Sequence, residues 1–565
     1  MLLGIDVGGT HTDAVIIDRR GVVVSAKVET CQENLIASLD AVLEKVLKSG
    51  LDRSISRINL STTLTTNAII EGKLEEVGIL AVSGPGLAPE TFNHGLGDHF
   101  HLLQGAIDHR GSRQHNLDEN AVNEAVAELK ENGLKVFAVA GKFSSRNPEF
   151  EEILADRIKP DADFISIGHQ VSGRLNFPRR LATAYYNAAI WRRYNNFADA
   201  IAASFAKFNL QAPLNILKAD GGTINFENAR TNPVQTILSG PAASVMGIIA
   251  LSSINEDAVI LDIGGTTTDI AIFAGGAPLL EKDGACFANR TTSIRAIKTC
   301  SIGVGGESLI AIEKTGKIKV GPQREGPPMA YSGTLPTLID ACNIIGLCAL
   351  GDKEKSLSGF ADLAKQSTFN ATQLAEQAVA TALESISRES ARILNEINQK
   401  PAYTVAEIMH PHQIKPKKLF IMGGPAEVLA PELEKIFNLE AVVPQNFAVA
   451  NAVGAALTRP TMALELFADT GKKRMFIPSL DCKKEIDTTY SLAQAKQDSI
   501  NALHDYLAAN RLAGGTEPEI EITSAEEFNM VDDYAIDSKS IRVSCQLKPG
   551  LETGYLKGIK TGCEA

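Results

Sequence analysis

Two octapeptides in this chain carry the same chemistry. Residues 6–13 read DVGGTHTD and residues 262–269 read DIGGTTTD, both of the form D-x-G-G-T-x-T-D. Each sits between apolar runs, which predicts a β-hairpin turning at its glycines. Glycine tolerates positive φ and leaves the backbone bare. Consecutive N–H groups in such a turn make a nest for an anion. Gly8, Gly9, Thr10 and Thr12 on one side, and Gly264, Gly265, Thr266 and Thr267 on the other, are the expected phosphate holders. Asp6 and Asp262 stand at the strand ends. They are expected to be the catalytic pair and to hold Mg²⁺, which takes one or two carboxylates together with phosphate oxygens. Asp13 and Asp269 are read as braces for the turns. A single GGT is commonplace, but two copies bracketed by Asp read as two halves of one site. They would grip a nucleoside triphosphate from opposite sides. No G-x-x-x-x-G-K-[ST] occurs, so the site is not a P-loop.

Alternating helices and strands must position these turns, which predicts an α/β layer structure. In LIASLDAVLEKVLKSG, residues Leu35, Leu39, Val42, Leu43, Val46 and Leu47 share a helical face and Gly50 suits the stop. NAVNEAVAELKENG followed by LKVFAVA reads as helix then buried strand. A long helix is expected from Asn176, and another over roughly 372–398. KKLFIMGGPAEVLAPELEKIF reads as strand, Gly-rich turn and helix, and AVANAVGAAL as a close-packing helix. Beyond about residue 461 charges rise, and EPEIEITSAEEFN and SIRVSCQLKPG read as short strands. The expected organisation is 1–175, a connector 176–255, a second lobe 256–460 and a C-terminal module 461–565.

Composition excludes some functions. The chain has 565 residues, a net charge of −12 and no Lys/Arg-rich run, which argues against nucleic acid as a partner. No apolar run reaches the roughly 18 residues that span a bilayer. The start MLLGIDVGG has no basic leader region, so a cytoplasmic location is expected. The eight cysteines include no C-x-x-C, so reduced thiols are expected.

The layout resembles the actin, sugar kinase and Hsp70 superfamily. That resemblance implies two RNase H-like lobes closing on Mg-ATP, with a small C-terminal α+β module added. It makes residues 421–429, IMGGPAEVL, the adenosine loop, with Gly423 and Gly424 beside the purine and ribose. Further stretches narrow the likeness: STTLTTNAII at 61–70, GKFSSRNPEFE at 141–151, LKADGGTINFENARTNPVQTILSGPAASVMG at 217–247 and IGVGGESLI at 302–310. With the two hairpins they resemble the hydantoinase/oxoprolinase A-subunit family. This implies ATP-dependent hydrolysis of a cyclic amide of hydantoin or 5-oxoproline type, with Mg²⁺, a B-type subunit and an oligomeric assembly. The alternatives are a non-catalytic nucleotide-gated chaperone or reactivase, and a small-molecule kinase, because the same lobes host all three.

Some residues keep two readings. Thr62, Thr63 and Asn67 either point into the cleft or cap a helix. Ser239, Gly240 and Pro241 offer a helix-start anion site or a plain turn. His94, Asp98, His99 and His101 read as metal ligands or, preferentially, as a polar loop, and Asp108, His109 and Arg110 as anion contacts or a solvated loop. Lys298 and Cys300 stand where the family pattern places Asp and His, which puts the substrate role of that segment in doubt.

Overall fold

The computed structural model describes the chain except residues 32, 49, 51–53, 93–94, 288, 400–412, 511–518, 533–534 and 562–565. The first motif folds as a hairpin. Strand Leu2–Val7 pairs antiparallel with His11–Asp18, placing Asp6 opposite Asp13 and Val7 opposite Thr12. Gly21–Glu29 follows on the outside. On the other flank Leu2–Val7 runs parallel to Arg57–Thr62, which runs parallel to Leu214–Leu217, and Thr223–Asn225 closes the edge. This sheet runs through the boundary expected at residue 175.

The second motif repeats the plan. Ala258–Ile263 pairs antiparallel with Thr268–Ala274, placing Asp262 opposite Asp269. Lys418–Met422 and then Glu440–Val442 continue in parallel. The duplication therefore extends from an octapeptide to whole sheets: a hairpin at the start, parallel strands beyond it. This is a two-lobed α/β architecture with a hairpin-led sheet in each lobe.

The N-terminal lobe carries a second, all-parallel sheet in the order Phe164–Ile167, Val136–Gly141, Gly78–Val82, Phe100–Leu102. The 31-residue helix Phe177–Lys207 packs on it, with Asn176 capping the start through its side chain to the Arg179 N–H. In the second lobe Ala371–Asn398, a helix of 28 residues, buries its apolar stripe against the sheet. Its Asn370 and Gln373 form a reciprocal capping box.

Two small-residue helices join the lobes. Ser239–Leu251 crosses Ala450–Leu457 so closely that a Cβ on Gly247 would lie 2.3 Å from the Ala450 carbonyl oxygen. A Cβ on Gly4 would lie 2.1 Å from the Ala452 oxygen. No larger residue fits either place.

The C-terminal module is a five-stranded antiparallel sheet crossed by helix Leu492–Ala509. The two strands expected to be short are 13 residues each, Ile520–Asp532 and Ala535–Leu547. Alternate residues Ile541, Val543 and Cys545 point into one core, so the alternation runs on past the segment that first suggested it. No helix among the described residues is long and apolar enough to cross a membrane. The seven described cysteines are free.

Candidate functional site: an interlobe cleft

The two hairpin turns meet at the floor of a cavity of about 560 Å³ between the lobes. Both turns close through the same bond, Gly8 N–H to His11 O at 3.1 Å and Gly264 N–H to Thr267 O at 2.9 Å. Gly8, Gly264 and Gly265 do not lie in the left-handed region, contrary to the expected use of their φ freedom. Their absent side chains matter instead for close approach. A Cβ on Gly265 would lie 2.8 Å from Thr10 Cγ2 of the opposite hairpin.

Each turn is clamped from behind. Thr30 donates its N–H to the Thr10 oxygen at 2.8 Å. Gly306 and Glu307, from the IGVGGESLI stretch, donate to the Gly264 and Gly265 oxygens at 2.9 and 2.7 Å. Gly305 packs so tightly against Gly265 that its Cβ would sit 2.6 Å from the Gly265 carbonyl carbon. That stretch is therefore structural support for the second turn.

Gly8, Gly9, Thr10, Gly264, Gly265, Thr266, Thr267, Gly423 and Gly424 all line the cavity, as do Asp6, Asp13, Asp262 and Asp269. Thr12 departs from the expectation. It is fully buried and shares a 2.9 Å hydrogen bond with Thr30 Oγ1. Its partner in the register is Val7, so it faces away from the side that Asp6 and Asp13 share. Thr268 does the same in the second hairpin, donating to the Val304 oxygen at 2.6 Å.

Gly423 adopts φ +91, and a Cβ there would meet the Ile263 oxygen at 2.2 Å and Asp262 Oδ1 at 2.7 Å. Only glycine can occupy this place. Gly424 faces open space. Thr63 lines the cavity and makes no capping bond, which settles its two readings in favour of the cleft. Thr62 and Ser239 instead tie the walls together: Ser239 Oγ donates to the Thr62 oxygen at 2.7 Å. Gly240 and Pro241 line the cavity at the start of Ser239–Leu251; Asn67 does not.

Sequence reading missed the residue that links the halves. Asn451 Nδ2 donates to Asp6 Oδ2 at 3.4 Å and to Asp262 Oδ2 at 3.2 Å. Ser244 Oγ donates to Asp262 Oδ2 at 2.5 Å. Lys27 Nζ binds Asp13 Oδ2 and the Ala448 oxygen, both at 2.9 Å.

Four aspartates thus face one cleft, with Glu29 and Glu307 also on its wall, and Lys27 pairs with Asp13. Burial, then the charge of Asp13, pushes Asp6 up to about 7. Burial pushes Asp13 up to about 6 against the pull of Lys27. Burial, then the charge of Asp262, pushes Asp269 up to about 7. His11 is lowered to about 4 by burial and by Lys27 and Arg324. Asp6 Oδ1 and Asp13 Oδ1 are buried with no hydrogen-bond partner. Hard oxygen donors, unsatisfied and in excess of cation, suit a hard divalent ion.

The remaining sequence candidates lie elsewhere. His99 and His101 sit 4.0 and 3.8 Å from Glu76 and Glu128, and neither joins a three-ligand group among the described residues. Asp98 joins none either, and His94 lies outside the described residues. Asp108 accepts the N–H groups of Arg110 and Ser112, and Arg110 reaches Asp469 at 3.5 Å. His109 and Arg110 border a separate cavity of about 210 Å³ against the C-terminal module. Lys298 pairs with Glu281 at 3.4 Å, and Cys300 donates to Glu389 at 3.2 Å. Neither lines the cleft.

Comparison with known proteins agrees with this geometry. The chain is 28% identical to the caprolactamase subunit alpha of Pseudomonas jessenii over 385 residues, covering 62% of this chain and 55% of that protein. It is 25% identical to the acetone carboxylase beta subunit of Xanthobacter autotrophicus over 389 residues, 61% of this chain and 54% of the other. The chain thus spans about half the length of the curated relatives it matches. The structure of ATP-dependent caprolactamase from P. jessenii superposes with a TM-score of 0.69 at 21% identity, covering 96% of this chain and 87% of that one. Nucleotide-free acetone carboxylase gives 0.71 at 16% identity, covering 98% and 88%. The family models for the hydantoinase/oxoprolinase N-terminal region and for hydantoinase/oxoprolinase match residues 2–161 and 180–463. With most of its length matched and both hairpins in place, the chain belongs to the hydantoinase/oxoprolinase family.

Proposed function

We propose that this chain binds Mg-ATP in the interlobe cleft and activates the carbonyl of a cyclic amide by phosphoryl transfer, as one subunit of a hydrolase. The observation that supports this best is the meeting of two duplicated hairpin turns beside Asp6 and Asp262, bridged by Asn451. Gly8, Gly9, Gly264 and Gly265 and the hydroxyls of Thr10, Thr266 and Thr267 hold the phosphates, Gly8 and Gly264 by leaving the backbone open to close approach while their N–H groups close the turns. Gly423 and Gly424 border the adenosine. Asp6 and Asp262 hold Mg²⁺, which supplies charge neutralisation at the transferred phosphoryl group.

A cyclic amide is a poor electrophile. Its carbonyl oxygen attacks the γ-phosphorus and ADP departs, which leaves a carbon open to water. The net reaction consumes one water for the ring C–N bond and one for the terminal phosphoanhydride. The chain's task is alignment and exclusion of solvent, both served by a narrow cleft with tip-to-tip turns. The cyclic amide is favoured over a ketone because the caprolactamase relative is the more similar of the two. Both relatives are named as subunits, which supports a B-type partner and an oligomeric assembly.

ADP release should be measured with hydantoins, 5-oxoproline and lactams, with and without a co-expressed B-type subunit. Turnover stimulated by one cyclic amide is expected. ATP binding with no stimulation by any of them would refute the amidohydrolase reading, and a stable phosphorylated product would replace it with a kinase.

A further inference from the structure

A second group of donors lies away from the cleft, where the N-terminal lobe meets the C-terminal module. Glu151 and His169 are 1% and 0% exposed. Glu151 Oε1 accepts the Gly141 N–H at 2.7 Å. Its Oε2 accepts the His169 N–H at 2.8 Å and pairs with ring Nδ1 at 2.6 Å. The cradle is tight: a Cβ on Gly168 would lie 2.5 Å from Glu151 Oε1.

With Nδ1 committed, Nε2 is the free nitrogen of His169. It is buried and has no hydrogen-bond partner. Asp481 Oδ1 lies 3.7 Å from it. Glu152 completes the group, with one ligand atom from each of the three within 4.8 Å of the others. Glu152 and His169 belong to the N-terminal lobe. Asp481 belongs to the C-terminal module, held at φ 48 just after the helical turn Pro478–Leu480.

We propose that Glu152, His169 and Asp481 form a site for a divalent transition metal, Zn²⁺ by preference, that fastens the C-terminal module to the N-terminal lobe. One imidazole nitrogen and two carboxylates with water in the fourth place suit Zn²⁺. Zn²⁺ bonds of about 2.0–2.1 Å in a tetrahedron put neighbouring ligands about 3.3 Å apart. The His169–Asp481 pair is within a few tenths of that. A carboxylate behind the other ring nitrogen is the usual means of orienting a metal-bound histidine, and Glu151 supplies it. Glu152 pairs with Lys483 in the ion-free arrangement and exchanges that partner for the metal.

The test uses the full chain stripped by chelator and titrated with Zn²⁺ by calorimetry, with thermal unfolding followed in parallel. One equivalent of Zn²⁺ and a rise in Tm are expected in the parent. Asp481→Ala and Glu152→Ala, at positions outside the buried cradle, should keep the parent's far-UV circular dichroism and lose at least tenfold in affinity. An Asp262→Asn variant separates this site from the cleft and should still bind. Absence of Zn²⁺ binding in the parent would overturn the proposal. So would binding unchanged in Asp481→Ala, or binding lost in Asp262→Asn alone.

Discussion

The two hairpins share a sequence pattern and a register but not an environment. In the first, Asp13 has a fixed cation, Lys27, which also ties down the Ala448 carbonyl of the opposite lobe. In the second, Asp269 has only the Ser301 hydroxyl to offset its burial. Asp262 is held by Ser244 and Asn451, whereas Asp6 keeps one buried oxygen without a partner. Duplication supplied the geometry twice, and divergence in the surroundings divided the charge. The first half carries its own counterion; in the second a hydroxyl stands in that place.

The sharpest way to break this comparison is at Asp6 and Asp262, the pair proposed to hold the metal. Asp262→Ala should lower ATP turnover by about 10³-fold with the fold retained, and Asp6→Ala by a similar factor. Steady-state ADP release together with circular dichroism checks both. Equal turnover in the parent and Asp262→Ala would sink the assignment.

Next in size is closure of the turns. Gly265→Ala forces its Cβ against Thr10 and Glu307, at 2.8 and 3.1 Å, and should raise KM for ATP by about tenfold or more. Lys27→Met should destabilise the protein by about 1–3 kcal/mol in urea unfolding, since it leaves Asp13 buried without a cation while Lys27 itself is one-third exposed. Ser301→Ala, on the strand Thr299–Ile302 that pairs with the second hairpin opposite Asp269, should do much less.

The pH dependence follows from the same asymmetry. Asp6, Asp13 and Asp269 all titrate above their ordinary 3.8 in the folded chain, at about 7, 6 and 7. The folded state therefore keeps protons that the unfolded state releases. Their stabilising contribution is full below the unfolded value and is lost as pH rises through about 6–7. The apo protein should melt higher at about pH 5.5 than at about pH 8 in scanning fluorimetry, and Mg²⁺ should narrow that gap. The smallest effect is expected from Thr12→Val, about 1 kcal/mol of stability with turnover nearly unchanged. Thr10→Val should instead weaken ATP binding.

The hairpins were legible because an apolar strand, a Gly-Gly turn and an apolar strand leave little else to fold into. Thr12 was legible too: period-two alternation puts it on the face of Val7, away from Asp6 and Asp13. Asn451 was harder. It lies in AVANAVGAAL, quoted only for close packing, where one polar side chain among small apolar ones was the available signal. Lys27 was invisible because an ordinary amphipathic strand carries it, and only tertiary pairing brings it to Asp13. The domain boundary at 175 divides a sheet because Leu214–Leu217 returns to the first hairpin's sheet after a long helix. Local pattern does not encode that return.

The helix that carries Asn451 has a mechanical consequence. It is wedged between the lobes, and the chain leaving it at once threads the sheet edge: Thr223 donates to the Arg459 oxygen and accepts from Thr461, both at 3.0 Å. Two residues later the C-terminal sheet begins at Ala463. Only these few pinned residues separate the helix from the sheet, so a displacement of one is passed to the other rather than absorbed by a loose linker.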